Sequence, residues 1–226
     1  MSKVRPAAGI IPLRKEASGL QWSVYLVQRG SRGRFFPGFH AFPGGTMEKE
    51  DENLAHCAAR ELWEESGLWI GPGQPSPGLR QEWLSGHLPW SEVLDNHPLS
   101  LEKLHPAGVR TTPEYALVRF RAQFYVWECP PGQLAEVWPG ELEEGRWWSV
   151  QEALAAWRRG EIFLAPPTQD SLHGIAESAT LEEAAARLGA YPEDTADPIR
   201  MLPGLTYVPL ETPTLPPARH TLCFLL

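Results

Sequence analysis

Cysteine is scarce in this chain. Cys57, Cys129 and Cys223 lie far apart, odd in number and in no paired spacing. That pattern excludes a disulfide framework and a cysteine-based zinc site, and it predicts reduced thiols in a cytoplasmic compartment. Lysine is also scarce, with 4 residues against 16 arginines, and beside the many Pro and Ala this is the compositional bias of a GC-rich bacterial genome. Long apolar runs are missing: nothing approaches the roughly 18 residues that a membrane span needs. The apolar run at 7–13 is short and lacks the basic region and cleavage site of a secretory signal, so neither membrane insertion nor export is expected. The final Cys223-Phe224-Leu225-Leu226 formally matches a prenylation box, but no polybasic stretch precedes it. It reads as a terminal strand or tail packing its apolar side chains. Positive charge is in deficit, with a formal net charge of −8. That argues against nonspecific nucleic-acid binding, because phosphates need a basic surface. An anionic substrate would then need cations close by.

What is present is an ordinary globular balance. With 226 residues, 42% of them hydrophobic, the chain can form one domain with a generous core. Residues 7–13 and 22–28 read as strands, and 118–127 alternates clearly. Segment 53–66 reads as a helix with Asp51 as its N-terminal cap and Gly67 as its left-handed C-terminal residue. Segment 71–113, rich in Pro, Gly and His, reads as an insertion with short helical pieces facing the substrate. A short strand at 146–148 leads into a helix whose Ser149 and Glu152 form a capping box, and Thr180 with Glu183 repeats that box. Residues 168–177 read as another helix, and an extension fills about 178–226, with a helix at 181–188 and a proline-rich tail from Pro192. Strands and helices mix without regular alternation, which predicts an α/β (α+β) domain with a mixed sheet flanked by helices.

The chemistry concentrates in one stretch. Gly44-Gly45-Thr46 is followed by Arg60-Glu61-Leu62-Trp63-Glu64-Glu65-Ser66-Gly67-Leu68. On a helix Glu61, Glu64 and Glu65 stand at i, i+3 and i+4 and share one face. Three carboxylates so placed repel one another unless a positive charge sits among them. Hard divalent cations, Mg²⁺ or Mn²⁺, prefer carboxylate oxygens. Arg60 is placed to orient one carboxylate through a bidentate contact. Gly44 and Gly45 let backbone approach both helix and ligand. The alternative is a solvated acidic helix face, which the coincidence of so many fixed offsets disfavours.

This stretch resembles the nudix box: Gly, five residues, Glu, seven residues, then Arg-Glu-(apolar)-x-Glu-Glu-x-Gly-(apolar). Arg60 to Leu68 matches at every specified position. The first half is one residue longer than standard, so either Asp51 or Glu52 takes the earlier acidic role. The resemblance implies an α-β-α sandwich and hydrolysis of a nucleoside diphosphate derivative, with Glu61, Glu64 and Glu65 as metal ligands or Glu61 as base. It also implies a further acid from a loop after the central strands. Glu141 and Glu144, ahead of Arg146-Trp147-Trp148, are the candidates, with a solvated turn as the other reading.

The longer box, Thr112-Pro113 and Ala165-Pro166-Pro167-Thr168 look like the branch containing the mammalian peroxisomal coenzyme A diphosphatase. Tyr25-Leu26-Val27-Gln28-Arg29 with Phe42-Pro43-Gly44-Gly45 is loosely similar to the coenzyme A motif upstream of the box. That implies coenzyme A or an acyl derivative as substrate, with Arg29, Arg32 and Arg34 (or a merely solvated basic loop) near phosphates. The other readings are an ADP-ribose or nucleotide-sugar diphosphatase on the same fold, and a nucleotide-sensing binding module. The complete run of acids argues against the last. The family often forms homodimers, which implies one here.

Overall fold

The alternation at 118–127 becomes a strand, β6 (Arg119–Glu128), one place in from the edge of an eight-stranded mixed sheet. Its parallel neighbour is β1 (Val4–Lys15), in register from Val4↔Arg119 to Leu13↔Glu128. The computed structural model describes residues 3–16, 19, 21–31, 36–112, 118–138, 140, 142–193, 199–202, 205–211 and 220–225. In the last three segments the backbone is described, with no side chain but that of Leu205. β2 (Trp22–Arg29) runs antiparallel to β1, β3 (Phe39–Ala41) continues beside β2, and β4 (Gly44–Thr46) returns against β1. β1 and β2 pair only through residues 13–15 and 22–24; beyond that they splay, and β3 and β4 fill the opening.

The period-two rule sorts β1 between two cores. Ala8 and Ile10 pack with Cys57, Ala58 and Leu62 of α1 (Leu54–Ser66). Ile11 and Leu13 pack with Leu154 of α4 (Val150–Arg158), Leu172 of α5 (Pro166–Ala176) and Leu188 of α6 (Leu181–Gly189). The result is helix, sheet, helix. Burial of a side chain such as Leu62, fully enclosed, contributes about 2 kcal/mol. A third cluster lies outside α1, where Trp63 and Trp69 meet Trp90 and Val93 of α3 (Trp90–Asn96), with Trp83 of α2 (Pro77–Leu84) stacked on Trp63.

Four expectations change. The helix cap is Asn53, whose Oδ1 accepts from Ala55 and His56 N–H; Asp51 turns inward instead. Residues 71–113 do hold short helices, but β5 (His105–Thr111) belongs to the main sheet as its edge strand. Pro106 and Gly108 hid it, and both sit at a register break that an edge strand tolerates. β7 (Leu142–Ser149) is longer than the three residues expected, because it pairs along most of β2. Ser149 caps α4 by position without a side-chain hydrogen bond, whereas Thr180 accepts from Glu183 N–H as expected. β8 (Phe163–Leu164) extends the sheet beside β3. A separate antiparallel sheet holds β9 (Ile199–Leu202), β10 (Leu205–Glu211) and β11 (His220–Leu225). Among the described residues no helix is long and apolar enough to cross a membrane.

Candidate active site

α1 lies over β4, and the contact between them builds the site. Gly67 ends the helix in the left-handed region at φ 72°, its N–H bonded to the Trp63 carbonyl. The acids stand one turn earlier. Glu65 accepts from the Gly44 N–H at 2.9 Å. Glu61 lies against Gly45 so closely that a Cβ there would come within 2.5 Å of the carboxylate. Only a glycine leaves that room.

Arg60 is the hub. Its side chain is 3% exposed. Nε and Nη2 reach the two Asp51 oxygens at 3.0 and 3.1 Å, Nη2 also meets Glu61 at 2.9 Å, and Nη1 meets Glu64 at 3.0 Å. Burial disfavours its charge, but the hydrogen bond to Asp51 and the charge of Glu61 outweigh that and hold the guanidinium protonated. Burial pushes the Glu61 carboxyl up to about 7; Arg60 opposes the shift and the neighbouring Glu64 adds to it. Glu64 remains 38% exposed.

All three acids open into one cavity of about 890 Å³, within the usual range for a small-molecule site. Gly44, Gly45, Arg60 and Arg29 line it with them, as do Phe39, Phe42, Phe124 and Trp138. A model of the NUDIX domain family matches residues 3–165. The chain belongs to the NUDIX family. It is 25% identical over 178 residues to a Caenorhabditis elegans protein named nudix hydrolase 7, covering 74% of this chain and 58% of that one. It is 43% identical over 65 residues to the nudix hydrolase NudL of an Enterobacter strain, covering 28% of this chain and 32% of the other. The chain thus spans less than two thirds of either relative's length. A NUDIX hydrolase from Alicyclobacillus acidocaldarius, seen in a crystal structure, superposes with a TM-score of 0.75 at 25% identity, over 85% of this chain and 100% of that one. The mixed sheet with flanking helices is therefore the NUDIX fold.

Asp51 and Glu52, the two acids that the longer box offers, are held differently. Asp51 is the buried partner of Arg60, while Glu52 is exposed and lies 3.6 Å from His56. Counted from Gly45 to Asp51 the first spacing of the box is standard, so the extra residue lies between Asp51 and Arg60. Glu144 stands on β7, 53% exposed and 3.6 Å from the Nε2 of His40, a residue of the cavity wall, and is not itself among the lining residues. Glu141, Arg32 and Arg34 lie outside the described residues. Sequence reasoning passed over His40, which is buried and lines the cavity; its Nε2 faces Glu144, and its Nδ1 has no hydrogen-bond partner among the described residues. A lone His after a loop carries no period or spacing that would single it out. It also passed over Arg80 of α2, whose Nη2 and Nη1 donate to the carbonyls of Glu64 and Glu136, each at 2.7 Å.

As to a metal, the donors are carboxylate oxygens, the type that Mg²⁺ and Mn²⁺ take. Among the described residues no three acid, His or Cys groups converge as a finished cage; Arg60 stands between Glu61 and Glu64 instead. The residues fit a hard cation in kind. The crowding of Glu61 by Glu64 marks where an added positive charge would relieve repulsion.

Proposed function

We propose that the protein is a divalent-cation-dependent hydrolase that cuts a diphosphate linkage, with Mg²⁺ or Mn²⁺ held by Glu61, Glu64 and Glu65. The observation that carries this is the presentation of three carboxylates of one helix to a single cavity. Arg60 orients Glu61 and Glu64, and the Gly44 N–H orients Glu65. The cation, when bound, would supply charge neutralisation at the phosphate oxygens and a more acidic water. Glu61, shielded from solvent and poised near neutrality, suits proton acceptance. In the reaction a water oxygen forms a bond to one phosphorus and the bridging P–O bond breaks. The water proton passes to a carboxylate, and two phosphorylated products leave.

The substrate we favour is coenzyme A or an acyl-CoA, giving 3′,5′-ADP and (acyl-)phosphopantetheine. Support comes from the longer box and from Ala165-Pro166-Pro167-Thr168, a stretch similar to the coenzyme A diphosphatase branch that forms one wall of the cavity. The test is a panel of CoA, ADP-ribose, NADH, diadenosine polyphosphates and nucleotide sugars with each metal. Preference for CoA is expected. Preference for ADP-ribose or a nucleotide sugar moves the protein to that class. If nothing is cut, a binding module replaces the enzyme; if Glu64→Gln leaves turnover unchanged, the role given to Glu64 falls.

A further inference from the structure

The cavity has a second half that the acids do not touch. Strand register shows where it lies. Ala8 pairs with Gly45, the glycine against Glu61, so that row faces α1. Ala7, one residue earlier, points to the opposite face and forms a row with Thr46, Ala122 and Arg110 across β4, β1, β6 and β5. Residues of both rows line the same cavity, which therefore passes from the α1 face around β4 to the α5 face. The row from Thr46 to Arg110 crosses three strand spacings, about 14 Å.

The far half is built for bulk without charge. Its floor is small, at Ala7 and Ala122, and its walls are Phe120, Phe124 and Pro166. Two charged groups at its border, Arg110 and Glu193, are already engaged by the protein. Arg110 donates to the carbonyls of Val109 and Leu188 at 2.8 and 2.9 Å, at the C-terminal end of α6. Glu193 accepts from Thr111 and from Arg121. Among the described residues a ligand entering here meets mainly apolar surface, with Arg110 and Glu193 already bonded to the protein, so a charged group would give up hydration for little return.

We propose that this far half binds one of the two groups flanking the diphosphate, and that this group is uncharged and largely apolar: an aryl ring or an alkyl chain. The inference rests on the reading of the three acids as the cleavage centre. The test compares the β-benzyl and β-methyl esters of ADP with Mn²⁺. The benzyl ester is expected to show a KM about tenfold or more below that of the methyl ester. Ala122→Phe fills the floor and should bring the ratio of the two KM values close to one; Ala122→Val, a smaller step, should give an intermediate ratio. Titration calorimetry of both esters reads the same preference without turnover. Equal KM values on the unaltered protein, or a preference that survives Ala122→Phe in a folded protein, overturns the proposal and leaves the hydrolase reading standing. Tighter binding of the benzyl ester with no cleavage of either does the reverse.

Discussion

Gly45 shows how little freedom the site has. A methyl group there would meet the Glu61 carboxylate at 2.5 Å, and the acid would have to leave its place beside Arg60. Gly45→Ala should lower kcat by about 100-fold, since displacing a group by about 1 Å costs that much. Its thermal midpoint should shift by only a few degrees; a variant with near-normal kcat would show that Glu61 need not sit there. His40 gives a pH signature. Burial lowers its pKa, with Glu144 opposing the shift. The unfolded chain then binds a proton that the folded chain refuses. This contribution to stability is complete above the unfolded value of about 6.5 and is lost as pH falls towards the lowered folded value. Urea unfolding across that range should show stability rising with pH, more steeply than in His40→Gln. Parallel pH profiles would show that His40 is protonated alike in both states.

At the scale of elements, Arg80 joins α2 to the end of α1. It satisfies the Glu64 carbonyl, one of the groups a helix C-terminus leaves without an internal partner, and holds the Glu136 carbonyl as well. Arg80→Met should cost about 1–2 kcal/mol in urea unfolding, because two part-buried carbonyls lose their donors. A cost under about 0.5 kcal/mol would mean water replaces it freely. The legible elements were those with a strong period or a cap. β1, β2, β6 and α1 carry alternation or an apolar stripe with Gly67 behind it, and their placement followed. β5 was not legible, because Pro106 and Gly108 mask an edge strand that pairs with β6 across a register break. The cap of α1 was misassigned since Asp51 and Asn53 are both good capping residues, and only the buried Arg60 decides between them.

At the scale of the molecule, the carboxylate face was legible because it lies within one turn of one helix. The cavity was not. It depends on β1 and β2 parting after three paired residues and on walls brought from β6, α5 and the segment after α6. No local spacing records that meeting. The outer tryptophan cluster was likewise seen only as an abundance of Trp; Trp63, at a free position of the box, proves to be the joint between α1 and the helices of 71–113.

The guanidinium lodged between Asp51, Glu61 and Glu64 has a bearing on how the protein responds to chelators. It acts as a resident counter-ion that offsets part of the repulsion among the acids and ties them to the fold before any metal binds. EDTA should therefore abolish turnover while leaving circular dichroism intact and the melting point within about 5 °C, the shift that a weakly bound ion supplies by mass action. Wholesale unfolding on chelation would show instead that the arginine cannot keep the acidic turn together by itself.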